Sequence, residues 1–598
     1  MRRRDFLRFT ASATALAAAA CAGHSPIDAA LAAMPQPARW VRPGDAAWPT
    51  EAQWAVLNQR VGGRLHAVAD PLATCRRQPG SAEAEQVLAD MRNPFYVQEQ
   101  AGATESSGWI DGWTTAPSAR AVEVRSAQDV AAAVDFARAH NLRLVVKGGA
   151  HSYKGQSCAP DSLLVWTRHF DGITLHDAFT PQGAPSGTPP VAAVSVDAGA
   201  VWLQVYDRVV THAKRYVQGG GCASVGVAGH LQTGGFGSYS KRYGMSAAGI
   251  IELELVTSDG KVRTVNRFQE PDLFWAWRGA GAAFGIATRV TMRTPPLPEH
   301  FGAASGVIKA ATEADFTNLV NTFLEMYRDG LMNPHWGEQA SFDGENRLSL
   351  ALLFQGLSQV EAEKALQPLV DHVAAHKGLS WEHPLRVSVI PAWQQWSYAR
   401  LSKITPSPIV EDKRAGTPAG RYWWKGDAGQ VSLFWAGYES GWLHERLLEG
   451  ASLPRLTRSL VAASRLQTVA LHFNKGLAGA PSEAREEVRR DLCVNPVAAD
   501  AFALVIIADG QQARWNGVPG HEPDAAELRR KARRVIDAME IVRTVAPDAG
   551  GYSSEMGYHA KDWREAAWGP HYPRLLALKK RYDPVGLFVG HHYVGSEG

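Results

Sequence analysis

The stretch GGGCASVGVAGHLQTGGFG, from Gly219 to Gly237, constrains this chain more than any other: eight of its nineteen residues are glycine. Glycine is used where backbone must approach another group closely or adopt positive φ. So dense a run reads as backbone moulded around a ligand. One thiol, Cys222, stands inside it with no second cysteine beside it. The five cysteines, Cys21, Cys75, Cys158, Cys222 and Cys493, form no CxxC pair. That spacing argues against a zinc site and a dense disulfide framework, and leaves open one disulfide among Cys75, Cys158 and Cys493. His591-His592 are neighbours with no carboxylate at ligand spacing, so no metal is expected there.

A second glycine turn, Lys147-Gly148-Gly149-Ala150-His151-Ser152-Tyr153, directly follows the apolar strand LRLVV. Successive backbone N–H groups in such a turn suit a pyrophosphate. No GxGxxG opens a helix here, so the dinucleotide fingerprint of the Rossmann fold is absent. His151 and Cys222 are two unlike nucleophiles, each at a glycine-rich turn. Facing one ligand edge, they point to covalent attachment of that ligand.

Around these turns the pattern is strand, helix, strand. ARAVEVR alternates, and SAQDVAAAVDFARAH opens with Ser126-x-x-Asp129, a capping box. AVSVDAG reads as a strand and AVWLQVYDRVVTHA as a helix. IIELELVTSDGKVRTV reads as two strands around Ser258-Asp259-Gly260, and IATRVTMR as another. TPPLP at 294–298 marks a boundary. Beyond it, boxes at Thr312-x-x-Asp315 and Ser358-x-x-Glu361 start helices, with LSLALLF and FALVIIA as strands between helical stretches. At 598 residues the chain has room for about two to four domains. A net charge of +3, without a basic run, gives no reason to expect nucleic acid. Trp393, Trp396, Trp423, Trp424 and Trp435 fit core or interface better than a ligand wall.

The segments VVKGGAHSYKG, QGGGCASVGVAGH and PDLFWAWRGAGAAFGI resemble the flavin-binding domain of the vanillyl-alcohol oxidase and p-cresol methylhydroxylase superfamily. The tail LLALKKRYDPVGLF resembles the C-terminal element of its berberine bridge enzyme-like branch. The resemblance implies an α+β fold: a two-part FAD-binding domain of the p-cresol methylhydroxylase type, plus an α+β substrate domain with an antiparallel sheet. The expected divisions are a leader at 1–30, an N-terminal segment at 31–116 and the FAD-binding domain at 117–293. A substrate domain at 294–549 and an element at 550–598 returning to the FAD domain complete them.

By the same resemblance, His151 bonds the 8α-methyl of FAD and Cys222 bonds ring carbon 6. Gly148, Gly149, Ala150, Ser152, Val225, Gly226, Gly229, His230, Gly234 and Gly235 belong to the cofactor site. Ala150 stands where the family often has a third glycine. Val225 matches the position where valine leaves room for oxygen at the flavin. Related sugar oxidases carry Asn-Tyr-x-Asp after the middle domain, with the tyrosine helping as base. Here Ser554, Glu555 and Gly557 stand in the places of Asn, Tyr and Asp. Glu555 is therefore the candidate base, its proton affinity raised by burial, with Tyr552 and Tyr558 as substitutes.

The first residues, MRRRDFLRFTASATALAAAACAG, match a twin-arginine export signal built on Arg3-Arg4. Its apolar stretch is too short for a stable transmembrane span. Periplasmic or secreted location, by way of the twin-arginine export machinery, follows as an expectation. Cys21 follows three alanines as a lipid-attachment site would, though the usual Leu is missing three residues before it. The expected activity is oxidation of an alcohol-bearing small molecule, carbohydrate or aromatic, with molecular oxygen as acceptor. A dehydrogenase of the same fold with another acceptor is the alternative within the class, and turnover on oxygen alone separates the two. A non-catalytic envelope-binding lipoprotein is the alternative outside it, and would be colourless.

Overall fold

The computed structural model describes residues 40–596. The segment expected to direct export, including Arg3, Arg4 and Cys21, lies outside these residues. Near the start of the FAD domain, strand Arg120–Glu123, helix Ala127–Ala139 and strand Arg143–Lys147 follow the sequence periodicity. Both strands pair parallel with Ser162–Trp166, which lies between them, and Leu65–Ala67 adds an antiparallel edge. The helix buries Val130, Ala133, Val134 and Ala137, its apolar stripe. Ser126 Oγ accepts from the Asp129 amide at 3.2 Å. The reciprocal half of the box is replaced: the Asp129 carboxylate takes the Arg125 amide at 2.9 Å and Arg64 at 2.8 Å.

A second, five-stranded antiparallel sheet runs Val262–Val265, Ile250–Val256, Ile286–Arg293, Val191–Asp197, Ile173–Phe179. Its first pair is the hairpin expected around Ser258-Asp259-Gly260. The helix read at AVWLQVYDRVVTHA forms as an α segment, Trp202–Tyr206, that widens into a π segment, Asp207–His212.

The substrate domain is a nine-stranded sheet. Along Ala501–Gln512, side chains alternate: Ala503, Val505 and Ile507 meet the helices, while Leu504 and Ile506 join the core that holds Trp202, Val227 and Leu231 of the FAD domain. Helices Glu313–Met326, Gln359–Ala375, Ser452–Ser464 and Ala525–Arg543 pack into the first of these cores. Thr312 and Ser358 cap two of them as complete boxes. The N-terminal segment is shared out: Ser106–Trp109 and Trp113–Thr114 extend the substrate sheet, while Leu65–Ala67 belongs to the FAD domain.

Buried lysines tie these pieces together. Lys241 donates to Gly476 O at 2.8 Å, Ala478 O at 2.9 Å and Phe502 O at 3.1 Å, joining the FAD domain to the substrate domain. Lys579, in the returning tail, donates to Ala283 O at 2.9 Å, Phe588 O at 2.6 Å and Asp583 at 2.6 Å. All four described cysteines are free, so the disulfide left open among Cys75, Cys158 and Cys493 is not formed. Each of those three thiols is buried in its own packing site, with Cys75 facing Ala84 O and Cys493 facing Ala276 O.

Lys241 generates a stability prediction. Lys241→Met keeps the side-chain length but leaves three buried carbonyls without their donor. An unsatisfied buried acceptor costs about 1–3 kcal/mol, so a clear fall in the thermal unfolding midpoint is expected. An unchanged midpoint would show that the ammonium does not join the domains.

Candidate active site

The two glycine turns lie against each other. A Cβ on Gly149 would fall 2.4 Å from the Gly226 amide nitrogen and 3.0 Å from Ser224 O. A Cβ on Gly226 would fall 2.8 Å from the Gly149 nitrogen. Side chains there would drive the two segments apart, so glycine is required by close approach. Next to this contact, Ala150 has φ +61°, the left-handed conformation that favours glycine. The backbone geometry of a third glycine is thus kept by an alanine, at a cost of roughly 1 kcal/mol. Its carbonyl is held by the Glu105 amide at 3.2 Å.

This packing sets His151 between two partners. Its Nδ1 lies 2.6 Å from Oε2 of Glu105, and its Nε2 lies 3.0 Å from Ser224 Oγ. Cys222 is half buried, and Asp427 stands in the turn Lys425–Gly429 of the substrate domain. Burial, then the charges of Asp427 and Glu105, push the Cys222 thiol well above its ordinary range. Burial pushes Asp427 up to about 6.

Glu555 sits on the far side of the same cluster. Lys475 donates to its Oε2 at 2.5 Å, and both side chains are largely buried. The carboxylate is buried, as expected, and the Lys475 ammonium is its partner there. Burial, then the charge of Glu555, pushes the Tyr438 phenol well above its usual range. Tyr153 links the two halves. Burial, then the charges of Glu555, Cys222, Glu105 and Asp427, push its phenol well above the usual value. Its hydroxyl donates to Gln430 Oε1 at 3.0 Å.

The other candidates fall into distinct places. Tyr552 shares a hydrogen bond of 3.0 Å with Thr233, and burial pushes its phenol up to about 12. It pins the tail to the glycine run and makes a poor base. Tyr558 stacks on His591 at 3.6 Å and packs against Trp109, among the C-terminal histidines and away from the Glu555–Lys475 pair. His230 stands in the short helix Val227–Leu231: Nε2 accepts the Phe236 amide at 3.2 Å, and burial lowers its proton affinity to about 4, keeping the ring neutral. Gly235, at φ +65°, passes so close to that ring that a Cβ would lie 2.6 Å from it. Gly234 is likewise left-handed, at φ +96°. Ser152 Oγ accepts the amides of Lys154 and Gln156, both at 3.3 Å, and shapes the first turn. Gly148 packs near Thr167, Val225 is half buried against the core, and Gly229 borders open space. Of the tryptophans, Trp396, Trp423 and Trp435 are core, and Trp424 touches the glycine run through Gly221 O at 3.0 Å.

Sequence reasoning missed Glu105, Asp427, Lys475, Tyr438 and Glu338. None lies in a motif. Glu338 carries φ +64° inside strand Trp336–Phe342, and burial raises its carboxyl above the ordinary range. A non-glycine residue held there stores strain, a recurring mark of functional sites.

The residues fit a flavin. Among the described residues, the backbone N–H groups of Gly149, Ala150, His151 and Ser152 find no protein acceptor, as an anion cradle requires. Asp427 Oδ2, Asn474 Oδ1 and Ser553 Oγ are buried near the cluster without hydrogen-bond partners, and a polar ligand would satisfy them. His151 and Cys222 supply the two nucleophiles.

Residues 118–266 match the FAD binding domain family, and residues 545–594 match the berberine and berberine-like family. The FAD-linked oxidoreductase easE of Epichloe festucae var. lolii is 31% identical over 591 residues, covering 93% of this chain and 90% of that protein. The VAO-type flavoprotein MtVAO615 of Myceliophthora thermophila C1 superposes with a TM-score of 0.76 at 21% identity, covering 94% of this chain and 98% of the other. Glucooligosaccharide oxidase of Acremonium strictum, with a 6-S-cysteinyl, 8α-N1-histidyl FAD, superposes at 0.61 and 16% identity over 81% of this chain and 92% of the other. With a fold of the p-cresol methylhydroxylase type and this relative matched over nearly its whole length, the chain belongs to the berberine bridge enzyme-like FAD-linked oxidoreductases of the vanillyl-alcohol oxidase and p-cresol methylhydroxylase superfamily.

Proposed function

We propose that this oxidoreductase is an oxidase. It takes two electrons from an alcohol-bearing substrate, carbohydrate or aromatic, and passes them to molecular oxygen, giving peroxide. Its FAD is joined to the protein through both His151 and Cys222. The observation that carries this reading is the packing of the His151 and Cys222 glycine turns against each other at Gly149 and Gly226. When bound, FAD supplies the two-electron acceptor. Val225, half buried in the glycine run, is small enough to leave oxygen a path.

The chain's own residues handle the proton. Glu555 accepts the substrate hydroxyl proton at its carboxylate, and Lys475 keeps that carboxylate fixed at 2.5 Å. Tyr438 and Tyr153, both held protonated by burial, serve as hydrogen-bond donors and orient the substrate. Glu338 offers a second buried carboxyl for a substrate hydroxyl.

Glu555→Gln keeps the shape and removes the proton acceptor. The rate of anaerobic flavin reduction by substrate should fall by about 10²–10⁴-fold, with flavin content unchanged. A variant reduced at the wild-type rate would remove Glu555 from the mechanism. Across a panel of alcohol-bearing compounds, wild-type turnover on oxygen should release one peroxide per substrate. Reduction without reoxidation by oxygen would instead make the enzyme a dehydrogenase.

Acid-denatured wild-type protein should keep its yellow colour. His151→Ala and Cys222→Ala should each leave one bond, and the double variant should release its flavin. Complete loss of flavin to the supernatant from wild type would contradict covalent attachment.

Export by the twin-arginine route accounts for Arg3-Arg4 ahead of a short apolar run. Replacing both arginines by lysine should leave flavin-loaded precursor in the cytoplasm. Unchanged recovery outside the inner membrane would exclude this route.

A further inference from the structure

We infer that Glu105 is the counter-charge that promotes the bonding of His151 to the flavin, an inference that rests on the covalent reading above. Glu105 comes from the N-terminal segment, outside both glycine turns, and is buried. Its backbone is fastened from both domains. Its amide donates to Ala150 O at 3.2 Å, and its carbonyl accepts from the Ser432 amide at 2.7 Å. Two residues earlier, Ala103 O accepts from the buried Lys147 ammonium at 2.6 Å. Thus held, the carboxylate stands beside His151, with Oε2 2.6 Å from Nδ1. On the other edge of the ring, Nε2 lies 3.0 Å from Ser224 Oγ. Ser224 is equally fixed, being buried with its carbonyl taken by Gln98 Nε2 at 2.5 Å.

The two edges of the ring differ. Nε2 and Ser224 Oγ are aligned as a hydrogen bond, so that edge is in use. Among the described residues, Oε2 of Glu105 takes no aligned hydrogen bond from any group. Its approach to Nδ1 is therefore a contact of charge, off the line of an N–H, and the direction of the Nδ1 lone pair stays open to a carbon atom. A neutral imidazole gains little from a carboxylate so placed. A positively charged ring gains much, because the pair is buried and poorly screened. The serine oxygen suits the same state, since it accepts an N–H from Nε2. Joining the ring to carbon through Nδ1 creates that positive charge. An interaction that strengthens as the reaction proceeds lowers its barrier.

In the joining step the Nδ1 lone pair forms the bond to the 8α carbon, and one C–H bond of that methyl breaks. Its proton is released, and its electron pair passes into the flavin ring, which is reduced by two electrons. The imidazole keeps its Nε2 proton and becomes an imidazolium paired with Glu105. Molecular oxygen, the acceptor proposed above, then takes the two electrons and becomes peroxide. One C–H bond is thus replaced by one C–N bond.

The test compares wild type, Glu105→Gln and Glu105→Asp, each harvested at equal intervals after induction and purified with its flavin. The proteins are denatured and digested, and the His151 and Cys222 peptides are weighed with and without flavin by mass spectrometry. Glu105→Gln keeps the shape and removes the charge. Its rate of His151 linkage should fall by about 10–10³-fold, the factor by which an adjacent opposite charge favours a charged form. Flavin content and the Cys222-linked fraction should hold near wild type. Glu105→Asp, which restores the charge, should link faster than the Gln variant. A Gln variant linked at His151 as fast as wild type overturns the inference and leaves the covalent reading standing. So does an Asp variant no faster than Gln, since shape and not charge would then matter. Loss of both bonds together in the Gln variant also overturns it, because Glu105 would then act on general folding. A His151 peptide free of flavin in wild type overturns both readings.

Discussion

Everything at this site depends on one backbone contact, that of Gly149 with Gly226. No side chain fits between them. Their approach brings His151 within 3.0 Å of Ser224, two residues after Cys222 in the glycine run. It also explains the density of glycine in the run from Gly219 to Gly237, where Gly235 must likewise pass close to the His230 ring. On the function proposed above, the thiol sits among glycines because the backbone around it is moulded to the ligand that the two nucleophiles face.

The remaining chemistry arrives from elsewhere in the chain. Glu105 comes from the N-terminal segment, Asp427 and Lys475 from the substrate domain, and Glu555 from the returning tail. Buried lysines with carbonyl acceptors hold these parts in register: Lys241 reaches across to three carbonyls of the substrate domain, and Lys579 fastens the tail to Ala283. A buried ammonium is tolerated only where donors and acceptors match so fully. The cleft is thus a junction of four chain regions, with the His151–Glu105 and Lys475–Glu555 pairs crossing the seams.

Much of this could be read from residue order, and the reason is physical. Helix Ala127–Ala139 and the capped helices after Thr312 and Ser358 announce themselves through local periodicity and caps. The hairpin around Gly260 and the two glycine turns are equally local signals. His151 and Cys222 stood out because reactive side chains are rare in glycine turns. Asp427, Lys475 and Glu338 carry no such signal: their surroundings exist only after the sheet of nine strands has formed. Tyr558 looked like a neighbour of Glu555 on spacing alone, yet the turn between them sends it into a stack on His591. Glu555 itself was found, but its partner Lys475 lies 80 residues away in sequence, so the ion pair was not foreseen.

The central claim is that one cleft presents His151 and Cys222 to a single flavin. The most direct measurement is a proteolytic digest of the denatured holoenzyme, with the yellow peptide isolated and sequenced by mass spectrometry. The account predicts one flavin carrying two chain segments, the first containing His151 and the second Cys222. Recovery of both segments free of flavin would contradict it.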